Sequence, residues 1–286
     1  MSFIFEQIDA WIRDLFTQSI TSNYTRMFAS VNEEVGRIAG QVGASPFDYN
    51  SEIYLMIRNL SEMVIIPIAG IILTFVLCYE LIQMILQRNN MAEFEISSIY
   101  KWIMKTFIAV YILTNTFDIT MAVFDVAQHV INQSAGIIQG SLDATVALDD
   151  LAAYLERLSV GELFGLWLES NVLGLAMRAI SLCIFIVIHG RMIEIYLTIS
   201  VAPIPFSTMA NRDWGNIGNN YLKALFALGF QGFLIMICVA IYAVLLRTSM
   251  TGDIQTSIWS AVGFTLLLCL TLFRTGSLSK SLFGAS

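Results

Sequence analysis

Residues 63–86 read MVIIPIAGIILTFVLCYELIQMIL, an apolar run whose sole charged residue is Glu80. A helix needs about 20 apolar residues to cross a hydrocarbon core of ~30 Å. A segment of this length therefore commits the chain to a membrane. The run is continuous rather than alternating, which selects a helix over a barrel strand. Four more segments follow the same pattern: 99–117, 172–202, 220–246 and 254–273. Composition agrees, with 57% hydrophobic residues, 13% charged and a mean hydropathy of +0.71. A soluble chain of this size needs far more polar surface. The reading is an all-α polytopic membrane protein with about five transmembrane helices.

N-terminal amphipathic helices precede these spans. In Phe3–Phe16, Ile4, Ile8, Trp11, Ile12 and Leu15 share one stripe, with Glu6, Asp9, Arg13 and Asp14 mostly off it. Residues 20–62 continue the pattern around a loop at Gly43–Asn50. The domains expected are an extracytoplasmic segment 1–62 and a membrane domain 63–286. The N-terminus lacks a basic region and does not read as a cleaved signal peptide.

Cations orient the spans. With the N-terminus outside, the inner side holds Arg88, Lys101, Lys105, Arg191, Arg212, Lys223, Arg274 and Lys280. The outer side holds Arg13, Arg26, Arg37, Arg58, Arg157 and Arg247, mostly in long segments where the rule counts little. The connection 118–162 carries one arginine against seven acids and reads as extracytoplasmic. The expected topology is N-out, C-in.

Enzyme signatures are missing. No phosphate-cradling loop, H-E-x-x-H or G-x-S-x-G occurs. Cys78, Cys183, Cys238 and Cys269 lie in apolar runs without C-x-x-C spacing, which reads as buried small residues. Two histidines, His129 and His189, are too few to suggest a metal site. No catalytic residue, metal or cofactor is expected.

The informative residues are ionisable groups inside spans: Glu80, Arg178, His189, Arg191 and Glu194. A charge at membrane depth costs ~2.5–3.5 kcal/mol on insertion scales, so it faces protein or water. Arg191 and Glu194 stand at i,i+3 and can pair; Glu80 can reach Arg178 or Arg191 across helices. Arg178 and His189 share a helix face. Two readings stand. The charges line a wet path or join helices, or they snorkel from the ends of a segment longer than the hydrocarbon core. An interfacial helix at Leu163–Ser170 would precede that segment.

Pro203 and Pro205 end the third span, since proline lacks the N–H that a helix needs. The stretch Ser207–Asn220 then reads as a cytoplasmic loop with Gly215 and Gly218 as turn residues. In it Arg212, Asp213 and Trp214 are candidate partner contacts, Trp214 also serving as an interface anchor. Gly229 and Gly232 in span four offer a close-packing face, with Gln231 beside them.

The run HGRMIEIYLTISVAPIPFSTMANRDWGNIGNNYLKALFALGFQGFLIMICVAIY, followed by LFRTGSLSKSLFG, resembles the TrbL-like conjugal transfer proteins of Gram-positive integrative elements. NLSEMVIIPIAGIILTFVLCYELIQ, KWIMKTFIAVYILTNTFDITMAVFD and LFGLWLES extend the resemblance over almost the whole chain. These relatives are polytopic inner-membrane subunits of type IV secretion systems. The resemblance implies a non-enzymatic channel or scaffold subunit that helps DNA, or DNA with protein, across the cytoplasmic membrane. It implies membrane lipids around the chain and a homo-oligomeric ring, often pentameric. The implied partners are cytoplasmic ATPases, a coupling protein and a cell-wall hydrolase, with the transferred DNA bound only transiently. The alternatives are a secondary transporter or a scaffold without a pore.

Overall fold

A computed structural model describes residues 2–86, 96–138, 151, 154–249 and 254–285. Among them the regular structure is helical, with no strand. Arg88 and most of the connection between 139 and 153 lie outside the described residues, as does the side chain of Arg247. The chain is a multi-pass membrane protein. Four helices are long and apolar enough to cross a bilayer: Ser51–Leu86, Val160–Ser200, Gly215–Leu246 and Ile258–Phe283. Large apolar side chains such as Met63, Ile71 and Leu86 stand exposed on the first of them, as lipid contact requires.

The chain forms two compact units. The first comprises Met1–Val42, Asn132–Ile188 and Ile235–Arg274. Its frame is α1 (Ser2–Val42) and the first part of α7 (Val160–Ser200), running side by side in the same direction. Arg13 donates to the Leu158 carbonyl at 2.8 Å, Trp167 to the Ser19 hydroxyl at 3.1 Å and Asn23 to the Ser170 hydroxyl at 3.0 Å. Further along, the Arg37 guanidinium lies 5.7 Å from the centroid of the Phe185 ring. The N-terminal helix thus runs beside α7 from Leu158 as far as Phe185. Its packing face also differs from the expected stripe. Phe16, Ser19 and Asn23 meet α7, while Ile8, Trp11 and Leu15 stand exposed.

Instead of an interfacial helix followed by a span, α7 is a single helix. Its start is a capping box: Ser159 N donates to Glu162 Oε2 at 2.7 Å, and Glu162 N to Ser159 Oγ at 3.4 Å. The helix runs on unbroken through Asn171, whose amide donates to the Trp167 carbonyl at 2.7 Å.

The second unit comprises Gly43–Ile131, His189–Leu234 and Thr275–Ser286. After a turn at 43–45, α2 (Pro46–Tyr49) leads into α3 (Ser51–Leu60). The side chains of Ser45 and Asn50 cap them. A π-helical turn, Ser61–Ile65, joins α3 to α4 (Ile66–Leu86) without ending the helix. Pro67 accounts for it. Its ring excludes a hydrogen bond to the carbonyl four residues back, and a wider turn absorbs the misfit.

Span two departs from a single straight helix. α5 (Ile96–Thr114) and α6 (Thr116–Ile138) meet at a 68° bend, and they reach span length and apolarity only as a pair. Counted as one span, they bring the total to five. Three consecutive polar side chains make the bend. Asn115 Nδ2 donates to the Tyr111 carbonyl at 2.8 Å, Thr114 Oγ1 to Val110 at 3.1 Å and Thr116 Oγ1 to Ile112 at 2.9 Å. Such back-bonding competes with the backbone ladder and bends helices.

After Ser200 the chain does not leave as a loop. Pro203 opens the short helix α8 (Pro203–Thr208), and a turn leads into α9 (Gly215–Ser249). Gly215 and Gly218 therefore belong to a helix and are not turn residues. Gly218 is a contact point instead: a Cβ there would stand 2.1 Å from Met209 Cγ and 2.7 Å from the Pro205 carbonyl oxygen. The chain returns through α10 (Ile254–Phe283). Two buried apolar clusters hold this unit. One gathers Ile57, Phe117, Phe124, Met192, Ile195, Tyr196, Leu225 and Leu228; the other gathers Ala69, Leu73, Val76, Leu77, Leu113 and Ala210.

Candidate functional site

The polar residues after Pro203 are largely consumed by the fold. Ser207 and Thr208 are buried and bond back to the Ile204 and Pro205 carbonyls, each at 2.7 Å. Asn211 is buried as well, its Oδ1 accepting from Asp213 N at 2.7 Å and Trp214 N at 3.3 Å. Trp214 lies on α4, nearly parallel to Phe75 and Tyr79, with centroids 5.7 and 5.4 Å away. Its indole covers the chain's own helix. Arg212 and Asp213 alone in this turn combine charge with exposure.

They border a recess of about 650 Å³ at the end of α4 and the start of α5. Glu80, Gln83, Ser98, Lys101, Trp102 and Lys105 complete most of its wall. Lys105 bonds Glu80 Oε1, and Gln83 bonds Asp213 at 3.2 Å. Lys101 and Arg212 have no hydrogen bond or ion pair among the described residues. The recess therefore presents two uncommitted cations beside two engaged carboxylates. Glu80 Oε2 is buried without a hydrogen-bond partner among the described residues.

This arrangement sits in a helical membrane scaffold, and the comparisons with known proteins give that scaffold a family. The family model described as TrbL/VirB6 plasmid conjugal transfer like protein matches residues 31–203, more than half of the chain. The chain belongs to this family. It is accordingly a conjugal-transfer membrane subunit of the type IV secretion class, a family of structural components. No curated protein and no solved structure matches the chain.

In this TrbL/VirB6-like subunit the ionisable residues of the spans do not form one line. Glu80 pairs with Lys105 rather than an arginine. Glu194 turns to Lys280 at 3.1 Å, with both side chains about half exposed, instead of closing an ion pair with Arg191. Arg191 is 5% exposed, and its Nε has no hydrogen-bond partner among the described residues. It packs over Gly232, whose missing Cβ makes room for the guanidinium. His189 meets the Tyr49 ring edge-on at 5.7 Å, and burial raises the Tyr49 phenol above its ordinary value. Arg178 stands apart in the first unit, exposed, in a cavity of about 560 Å³ that Arg26 also lines. Gly229 approaches Ala127, where an added Cβ would come within 3.1 Å of its neighbour's. Gln231 is buried and donates to Thr275 Oγ1 at 3.4 Å.

The residues that sequence reasoning missed are Lys101, Lys105 and Gln83 in the recess, Arg26 beside Arg178, and Lys280 opposite Glu194. Each is distant in sequence from what it meets, and no spacing could have shown the pairing. Among the described residues no group of three or more His, Cys, Asp or Glu gathers at metal-binding distance.

Proposed function

We propose that the chain is a non-enzymatic channel and scaffold subunit of a conjugative type IV secretion system, helping DNA or DNA with protein cross the cytoplasmic membrane. The observation that carries this reading is the recess at Arg212 and Lys101. Uncommitted cations at a helix-bundle end suit an acidic surface on a soluble partner. The recess faces the cytoplasm, where the secretion ATPases and the coupling protein dock, and the cell-wall hydrolase works opposite. The N-terminus is outside and the C-terminus inside, with α1 descending beside α7. Several copies form a ring, and the conduit runs between copies. What supports a path between copies is that Glu80 and Glu194 are each paired within the chain, with Lys105 and Lys280. The DNA passes without lasting contact.

The test is Lys101→Glu with Arg212→Glu in the assembled complex. Co-purification of the ATPases should fall severalfold while subunit stoichiometry and thermal unfolding stay unchanged. Undiminished ATPase recovery would remove the docking role.

A secondary transporter is the second reading. The π turn at Ser61–Ile65 and the 68° bend at Asn115 are interrupted helices, the usual setting of a transporter site. Proton-coupled uptake of a small solute by liposomes carrying the purified chain would favour it. A stable monomer on native extraction would favour neither a ring nor a conduit.

A further inference from the structure

The cavity between α1 and α7 in the first unit has an unusual charge balance. Arg26 and Arg178 line it with Asn23, Ser170, Asn171 and Ser181, and no carboxylate is among the lining residues. Neither arginine has a hydrogen bond or ion pair among the described residues. Arg178 lies within the apolar run 172–189 of α7, one turn past Leu175 and one turn before Leu182. Those two leucines are 70% and 59% exposed. A guanidinium flanked by bare leucines on a membrane-spanning helix cannot face hydrocarbon at ordinary cost.

We infer that this cavity seats the phosphate of an anionic phospholipid. Two guanidiniums supply forked N–H donors that match phosphate oxygens. Asn171 and Ser181 add neutral polar wall. Leu175, itself part of the lining, and exposed Val172 and Leu182 provide the surface along which acyl chains run. An amphiphile satisfies both features at once. A nucleic-acid strand would match the arginines and leave the leucines in water, so the lipid is the better fit. The anchor would lock α1 to α7 near Asn23 and Ser170, where a 3.0 Å hydrogen bond already joins them. This assignment does not depend on the channel reading.

The full-length complex, extracted in detergent and probed with phosphatidylglycerol by native mass spectrometry, tests it. Wild-type protein should retain phosphatidylglycerol over phosphatidylcholine by about tenfold or more. Arg26→Gln with Arg178→Gln should lower that retention by at least about tenfold, since hydrogen bonds to charged groups carry that weight. Arg26→Lys with Arg178→Lys, which keeps the charge and loses the fork, should fall between. On the wild-type protein, excess inorganic phosphate should not displace a fluorescent phosphatidylglycerol, because it lacks the acyl chains. Displacement by inorganic phosphate would mean a simple anion site and overturn the lipid assignment. Displacement by a single-stranded oligonucleotide would point to the DNA backbone and overturn it too. Equal retention of both lipids, or unchanged retention in the glutamine variant, would likewise end the proposal.

Discussion

Arg191 lies across Gly232 so closely that a Cβ on the glycine would stand 2.7 Å from a guanidinium nitrogen and 2.5 Å from Ile131 Cδ1. The buried cation thus depends on a missing methyl group on a neighbouring helix. Gly232→Ala must displace both side chains from a packed site, which costs about 1–3 kcal/mol. Gly229→Ala meets Ala127 Cβ at 3.1 Å and Phe124 and Val123 only at ordinary contact distance, 3.9 and 4.0 Å, and the better helix propensity of alanine, worth ~1 kcal/mol, offsets the tighter contact. Thermal unfolding in detergent should show a clear loss for Gly232→Ala and little change for Gly229→Ala. Equal effects would contradict the packing described.

Gly218→Ala should be worse than either. The added Cβ would meet a backbone oxygen, that of Pro205, at 2.7 Å, and backbone yields less than a side-chain tip. The first turn of α9 would separate from α8. Unfolding temperature and protease resistance near 203–218 both report this, and an unaltered digestion pattern would exclude it.

Trp214 separates a folding role from a docking role. Its stacks on Phe75 and Tyr79 belong to the chain itself, so Trp214→Ala should cost about 3–5 kcal/mol, the range for losing a large aromatic side chain from its packing. The figure is an upper bound, because the indole is only partly buried. Arg212→Gln should leave stability within ~0.5 kcal/mol, as for other exposed side chains. Chemical denaturation of the two variants side by side would reveal the contrast. A neutral Trp214→Ala would mean that the indole serves a partner after all.

The bend at Asn115 should straighten when its back-bonding groups are removed. Spin labels at the exposed positions Ile103 and Val126 flank it. With Thr114, Asn115 and Thr116 all changed to alanine, the distance between the labels should lengthen. An unchanged distance would assign the bend to tertiary packing instead.

The Glu194 and Lys280 pair is about half exposed, so Glu194→Gln should alter stability by less than ~1 kcal/mol. A double-mutant cycle with Lys280→Gln measures the coupling directly. A coupling above ~2 kcal/mol would show that the pair is shielded, by lipid or by a neighbouring copy.

The sequence by itself determined the helical membrane class, because continuous apolar runs of this length leave the backbone no other way to satisfy its polar groups in lipid. It also determined a break after Val42 and the end of α7 at the prolines, whereas the short helix Pro46–Tyr49 inside the loop expected at 43–50, with Ser45 and Asn50 as caps, came only with the structure. Its family resemblance agreed with the family match. The tertiary structure decided which charge meets which. Glu80 lies 25 residues from Lys105, and Glu194 lies 86 from Lys280. Periodicity reports only the face on which a residue lies, whereas a partner depends on how helices distant in sequence come together. The same limit explains Ser207–Asn220. Its composition reads as a loop, yet Ser207, Thr208 and Asn211 are buried capping groups and Trp214 covers α4. Polar residues mark a water-facing segment only when no backbone amide or carbonyl nearby needs them, and that need is set by packing.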